Sequence, residues 1–212
     1  MKGKHHFFIY LFLCAFRLFN ALLIKTQFDP DEYWQTLEPA YCVVFSKSEE
    51  PEYNCAYTWE WTRRYVPEDS TNSFQSSFTS TRNEMLWGPV RSYVSILPTI
   101  LLYSIAKHLN FDTNFVISKG PALLNAILVA APTDLATYSI ASWMTVRPKG
   151  KPDRSKTCAW WALFMSLTSW FHGYALVRTY SNSIECMLIT VGFACLAEVS
   201  HVVTISQLRL RQ

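Results

Sequence analysis

The sequence predicts an all-α fold: a polytopic bundle of transmembrane helices with a polar loop that bears amphipathic helices on one face of the membrane. Three observations carry this. Half of the 212 residues are hydrophobic and only 17% are charged, where a soluble domain carries about a quarter. The apolar residues gather into runs long enough to cross a bilayer. The polar residues gather between those runs. The net charge of +3 is modest, and the basic residues form no stripe with interleaved aromatics, so there is no case for a nucleic-acid partner.

Residues 7–24 form the first run. The basic lead Met1-Lys2-Gly3-Lys4 places its start in the cytosol by the positive-inside tendency. The length of the run, its Arg17 and Asn20, and the lack of a small-residue cleavage site favour a retained span over a signal peptide. An arginine inside a span costs about 2.5–3.5 kcal/mol on insertion scales. Such an arginine usually faces protein or a polar ligand, so Arg17 either snorkels to the head groups or turns inward, with a lipid phosphate as a candidate contact.

Residues 25–88 are then luminal. They open with a surface helix over 30–45. Asp29 is suited to cap it, Pro30 to its first turn and Glu32 to reach back. At helical spacing Asp31, Gln35 and Glu38 share one face, and Tyr33, Leu37, Ala40, Tyr41 and Val44 the other. Such a helix lies on a bilayer and holds carboxylates over it. Pro39 is expected to kink it. The acids either cap the helix and offset its dipole, or include a carboxylate kept ionised as a general base. Further on, Trp59 and Trp61 flank Glu60, either as belt residues of the interface or as a platform for a sugar ring. Residues 67–83 are rich in Ser and Thr and read as a flexible insertion without chemistry.

Further spans are expected within 91–205. The runs are 91–109, 115–144 (broken near Pro132 and containing Asp134), 158–177 and 184–205, with a basic loop at 147–156. Counting all five runs as crossings puts that basic loop in the lumen, against the positive-inside tendency. Either 91–109 does not cross fully, or 115–144 is two short segments broken at Pro132. Arg178, Asn182 and Glu185 fall at i, i+4, i+7, one face of a helix, where Glu185 can pair with Arg178. Arg178 and Arg91 sit at the mouths of apolar runs. There a forked guanidinium either anchors the helix end or binds a phosphodiester. Cys14, Cys158, Cys186 and Cys195 read as small hydrophobes. Cys42 and Cys55 share the loop and can pair in an oxidising lumen. No Cys/His spacing resembles a zinc site.

The segment Phe28-Asp29-Pro30-Asp31-Glu32-Tyr33-Trp34-Gln35-Thr36-Leu37-Glu38 resembles the Pro-Asp-Glu-Tyr-Trp-Gln signature of glycosyltransferase family 22, the mannosyltransferases that use dolichyl phosphate mannose. Supporting matches are Arg17–Leu23, Tyr57–Trp61, Arg91-Ser92-Tyr93 and Arg178–Glu185. The match is nearest to the branch that adds the third, α-1,2-linked mannose of the glycosylphosphatidylinositol anchor precursor; the branch acting on the lipid-linked N-glycan precursor is the alternative. A third reading is a non-catalytic membrane protein that keeps the front half of the fold. The resemblance implies the N-terminal part of a GT-C type membrane fold in the endoplasmic reticulum membrane. Its implied partners are the bilayer, the donor dolichyl phosphate mannose and the anchor glycolipid, with no metal or cofactor. It implies Asp31 as general base with Glu32 as the alternative, and Arg178, Arg91 and Arg17 for the donor phosphate. Trp59, Glu60, Gln35 and Asn182 are expected around the sugars. Two departures stand out. Asp29 replaces the histidine or aliphatic residue common in the family, and the stretch 67–83 is longer than the family's link. The match covers only the front of the family's length, so a fragment is expected.

Overall fold

The computed structural model describes residues 2–25, 32–46, 93–144 and 154–210, and every regular element among them is helical. Helix α1 spans Lys2–Leu23. A π-helical turn, Tyr33–Leu37, runs directly into α2, Glu38–Phe45. Helix α3 is Leu97–His108 and α4 is Asn114–Asn125. A second π-helical turn, Ala126–Ala130, joins α4 to α5, Ala131–Met144, without a break. Then come α6, Ser155–Thr168, the short α7, Trp170–Tyr174, and α8, Ser181–Leu210.

Among the described residues, three helical stretches are long and apolar enough to cross a membrane: His5–Leu23, Asn114–Met144 and Ser181–Val203. Their outer faces carry exposed Phe8, Phe12, Leu128, Phe193 and Leu196, as lipid-facing surfaces do. The chain is a multi-pass membrane protein.

Contacts fix the order of the ends. His6 meets the ring of Tyr138 at 6.0 Å and Tyr138 meets Trp160 at 5.5 Å, so the start of α1, the end of α5 and the start of α6 share one end of the bundle. At the opposite end the Lys119 ammonium donates to the Ile24 carbonyl, and Asn125 Nδ2 donates to the Arg178 carbonyl at 2.6 Å. The stretch 114–144 therefore returns the chain in one continuous helix. The break expected at Pro132 is absent, because the π turn just before it loosens the helix where the proline has no N–H and its ring crowds the preceding turn. Helix α3 is about 18 Å long at 1.5 Å per residue, short of the ~30 Å hydrocarbon core. It stays beside α2, held by Lys107 Nζ on the Val44 carbonyl at 2.5 Å and by Tyr103 against the rings of Tyr41 and Phe45. Asn110, at φ 51°, supplies the left-handed residue that ends α3.

The core is built around α5, which packs against α1, α6 and α8. Ile9, Leu13, Arg17 and Ala21 form a buried stripe at i, i+4 spacing on α1, and Ala126, Ala130, Asp134 and Tyr138 form the facing one. Alanines at these positions let the helices approach closely, the main source of packing energy where water gives no hydrophobic drive. The apolar residues on either side of Arg17 belong to two separate clusters, Ile9 and Leu13 with Leu163, and Ala21 with Leu176 and Val177.

Candidate active site

At the end of the bundle away from the N-terminus, the bend after α7 is pinned from two sides. Asn125 holds the carbonyl of Arg178, and Thr36 Oγ1 in the first π turn donates to the carbonyl of Thr179 at 2.6 Å. Leu176 and Val177 are fully buried just before it. The fixed backbone carries the Arg178 guanidinium over the Tyr174 ring at 4.3 Å and brings its Nη1 to Glu32 Oε2 at 2.5 Å. The other oxygen, Glu32 Oε1, accepts from Thr179 N at 3.3 Å and Thr179 Oγ1 at 3.4 Å. Arg178 is 4% exposed and Glu32 12%. Two residues 146 positions apart thus form a nearly buried ion pair, with Glu32 engaged by three donors.

A cavity of about 410 Å³ opens beside this pair. Its polar lining is Lys25, Glu32, Ser118, Lys119 and Arg178, and its apolar wall includes Ala21, Leu37, Ala122 and Val177. Among these residues three are cationic and one is acidic, which favours an anion. At the start of the first π turn the hydrogen bond from Tyr33 to the Glu38 carboxylate, aided by desolvation, pushes the Tyr33 phenol up. Burial does the same to Tyr103.

Of the residues singled out in the sequence, Glu32 and Arg178 are brought together. Gln35 is half-buried on the π turn and Asn182 is exposed in the first turn of α8. Asp31, Trp59, Glu60 and Arg91 lie outside the described residues, as do Asp29, Cys55 and the stretch 67–83. Cys42 is disulfide-bonded. The expected helical face Arg178–Asn182–Glu185 does not form: α8 begins at Ser181, so Arg178 sits in the bend before it, and its acid is Glu32 rather than the exposed Glu185. The face expected for the surface helix also shifts. Thr36, Pro39, Ala40 and Cys42 are buried while Tyr33 is exposed, because the π turn adds a residue and rotates what precedes it. Pro39 is the second residue of α2, directly after the π turn, and the helix runs on through it.

Arg17 lies apart from the cavity. It is fully buried and grips Asp134 through both nitrogens of a fork, Nε to Oδ2 at 2.6 Å and Nη2 to Oδ1 at 2.9 Å, with Nη2 also on the Ser166 carbonyl at 3.2 Å. Ser166 Oγ donates to Asp134 Oδ1 at 2.5 Å and lies 2.7 Å from His172 Nδ1. Arg17 therefore does not snorkel. Sequence reasoning missed the role of Asp134, although a lone acid in one apolar run and a lone arginine in another are the signal for such a pair. It also passed over Lys25, just after the first run, and Lys119, inside the run 115–144.

The sequence pattern of the Alg9-like mannosyltransferase family matches residues 8–66 and 87–209 of this chain. The unmatched residues between the two blocks take in the Ser/Thr-rich stretch. Mannosyltransferase APTG1 of Arabidopsis thaliana is 30% identical over 87% of this chain and 26% of its own length. GPI mannosyltransferase 3 of Schizosaccharomyces pombe is 32% identical over 87% of this chain and 28% of its own length. GPI alpha-1,2-mannosyltransferase 3 of Homo sapiens is 30% identical over 87% and 26%. The chain thus spans about a quarter of the length of the curated relatives it matches. No solved structure matches.

Proposed function

This chain belongs to the Alg9-like mannosyltransferase family, and from that premise we propose that it carries the donor-side half of a site that transfers mannose from dolichyl phosphate mannose to the glycosylphosphatidylinositol anchor precursor, at the luminal face of the endoplasmic reticulum membrane. The names of its fission-yeast and human relatives support the anchor precursor as acceptor and the α-1,2 linkage. The observation that carries the reading is the ion pair of Glu32 and Arg178 on the wall of a cationic cavity. It joins the acidic turn after the first span to the bend before the last one.

In the proposed reaction a hydroxyl of the acceptor mannose attacks the anomeric carbon of the donor. A new C–O bond forms as the bond from that carbon to the phosphate oxygen breaks. The hydroxyl proton passes to a carboxylate, and dolichyl phosphate leaves with the electron pair of the broken bond. Both oxygens of Glu32 are already engaged by donors from Arg178 and Thr179. Glu32 is thus the anchor that orients the acidic turn, and its neighbour Asp31 is the base. Cations around the cavity stabilise the leaving phosphate.

The test is mannose transfer from labelled donor in membranes carrying the full chain. Asp31→Asn is expected to lower turnover by about 10²- to 10⁴-fold, the range for a positioned general base, at unchanged membrane abundance. Full turnover by that variant overturns the assignment. Loss of the gene is expected to accumulate the anchor intermediate that lacks the third mannose; accumulation of a truncated N-glycan precursor instead overturns the choice of acceptor.

A further inference from the structure

The positive charge around the cavity exceeds what the Arg178–Glu32 pair contains. The nearest Arg178 nitrogen lies 2.5 Å from the Glu32 carboxylate and the guanidinium is stacked on Tyr174, so the field of Arg178 is largely cancelled by its partner. Two lysines remain on the lining. Lys119 comes from α4, one turn after its start, and Lys25 from just beyond the end of α1. Lys119 is held in place by the carbonyl of Ile24, one of the orphan acceptors at the C-terminal end of α1. An ammonium has three N–H donors, so that anchor leaves two for a ligand. Ser118 adds a hydroxyl on the same rim. The wall of Ala21, Leu37, Ala122 and Val177 gives an apolar surface beside the two lysines, against which a lipid chain can lie.

We propose that Lys119 and Lys25, and not Arg178, hold the phosphate of a polyisoprenyl phosphate in this cavity, while Arg178 orients Glu32. The assignment rests on the reading of a lipid-phosphate donor, but the site itself requires only a phosphate on an apolar tail. Binding can therefore be measured without any transfer of mannose.

The experiment titrates the purified full chain in detergent micelles with dolichyl phosphate, neutral dolichol or inorganic phosphate, and reads affinity from thermal stabilisation. Dolichyl phosphate is expected to stabilise the wild-type chain and dolichol not. Lys119→Gln is expected to weaken dolichyl phosphate binding by about tenfold, the loss of one charge-assisted hydrogen bond. Lys119→Arg is expected to restore most of it. Lys25→Gln, at a more exposed position, is expected to weaken binding less, and the two changes together more than either. Lys107→Gln, which removes a lysine outside the cavity, is expected to leave binding unchanged. Dolichyl phosphate binding by the Lys25→Gln/Lys119→Gln chain at wild-type affinity overturns the proposal. Inorganic phosphate binding as tightly as dolichyl phosphate overturns the lipid as its source. Lysine-dependent binding in a chain that transfers no mannose leaves this site standing and counts against the transferase reading alone.

Discussion

Arg17 and Asp134 show how a single pair decides what a membrane bundle tolerates. Each occupies the middle of a buried, otherwise apolar stripe, at matching positions on α1 and α5. Breaking a buried pair by removing one partner costs about 3–5 kcal/mol, whereas replacing both by apolar residues is often neutral or stabilising. Arg17→Leu and Asp134→Asn are each expected to lower the thermal midpoint of the detergent-solubilised chain strongly, and Arg17→Met with Asp134→Leu to recover most of the loss. A double variant no more stable than the worse single one sinks this account. The sequence exposed Arg17 as an anomaly and Glu32 and Arg178 as candidates, since charge beside apolar runs is visible in one dimension. It did not expose which charges meet. Asp134 is 117 positions from Arg17 and Glu32 is 146 from Arg178, and only the antiparallel packing of spans brings them together. Helical spacing instead offered Glu185 for Arg178, and a bend of a few residues before α8 was enough to remove it.

Among the described elements, two π turns share one offset: Tyr33–Leu37 and Ala126–Ala130 each end two residues before a proline, Pro39 and Pro132. A π turn is one residue inserted into an α-helix, and a proline in the next turn both lacks an N–H and crowds the carbonyl four residues back. The wider turn relieves that crowding, and the helix runs on through each proline. Hydrophobic periodicity could not reveal this, because one inserted residue shifts the phase of a helix by about 100° and mimics a misread register. That is why the observed buried face of the surface helix differs from the one that simple helical spacing predicts. The insertion also has a consequence for the site. It places Asn125 against the Arg178 carbonyl while keeping Asp134 on Arg17. Deleting Leu128, an exposed residue within the second π turn, together with Pro132→Ala, is expected to yield an ordinary α-helix with both contacts in phase and near wild-type thermal stability. Inserting one alanine after Leu128 is expected to turn Asn125 away from the bend and to destabilise the chain markedly. Equal damage from deletion and insertion contradicts this view of the turn.

At the scale of the whole molecule, the order of the ends settles which polar groups can share a compartment. Helix α1 leads to the end that holds Glu32 and Lys25, and α2 and α3 remain there. The continuous helix 114–144 returns the chain to the N-terminal end, α6 and α7 bring it back to Arg178, and α8 leaves again. The all-α class and the long runs were legible because a bilayer demands about 20 apolar residues per helical crossing. The fate of 91–109 was not, because its run is apolar enough to cross and only its 12-residue helix and its contacts with α2 keep it at one end. This arrangement puts the α6 start at the N-terminal end of the bundle and the turn between α3 and α4 at the opposite end; we propose that the first end is cytosolic, as the basic residues before α6 and the positive-inside tendency ask, and the second luminal. Single cysteines at Arg154 and Asp112, both exposed, in a chain otherwise free of reactive thiols, report this directly. In sealed microsomes a membrane-impermeant maleimide is expected to label Arg154→Cys at once and Asp112→Cys only after permeabilisation. Labelling of both before permeabilisation means that α3 or the helix 114–144 is wrongly oriented. In that case the cavity between Glu32, Lys119 and Arg178 does not face the lumen, where a dolichyl phosphate sugar is presented.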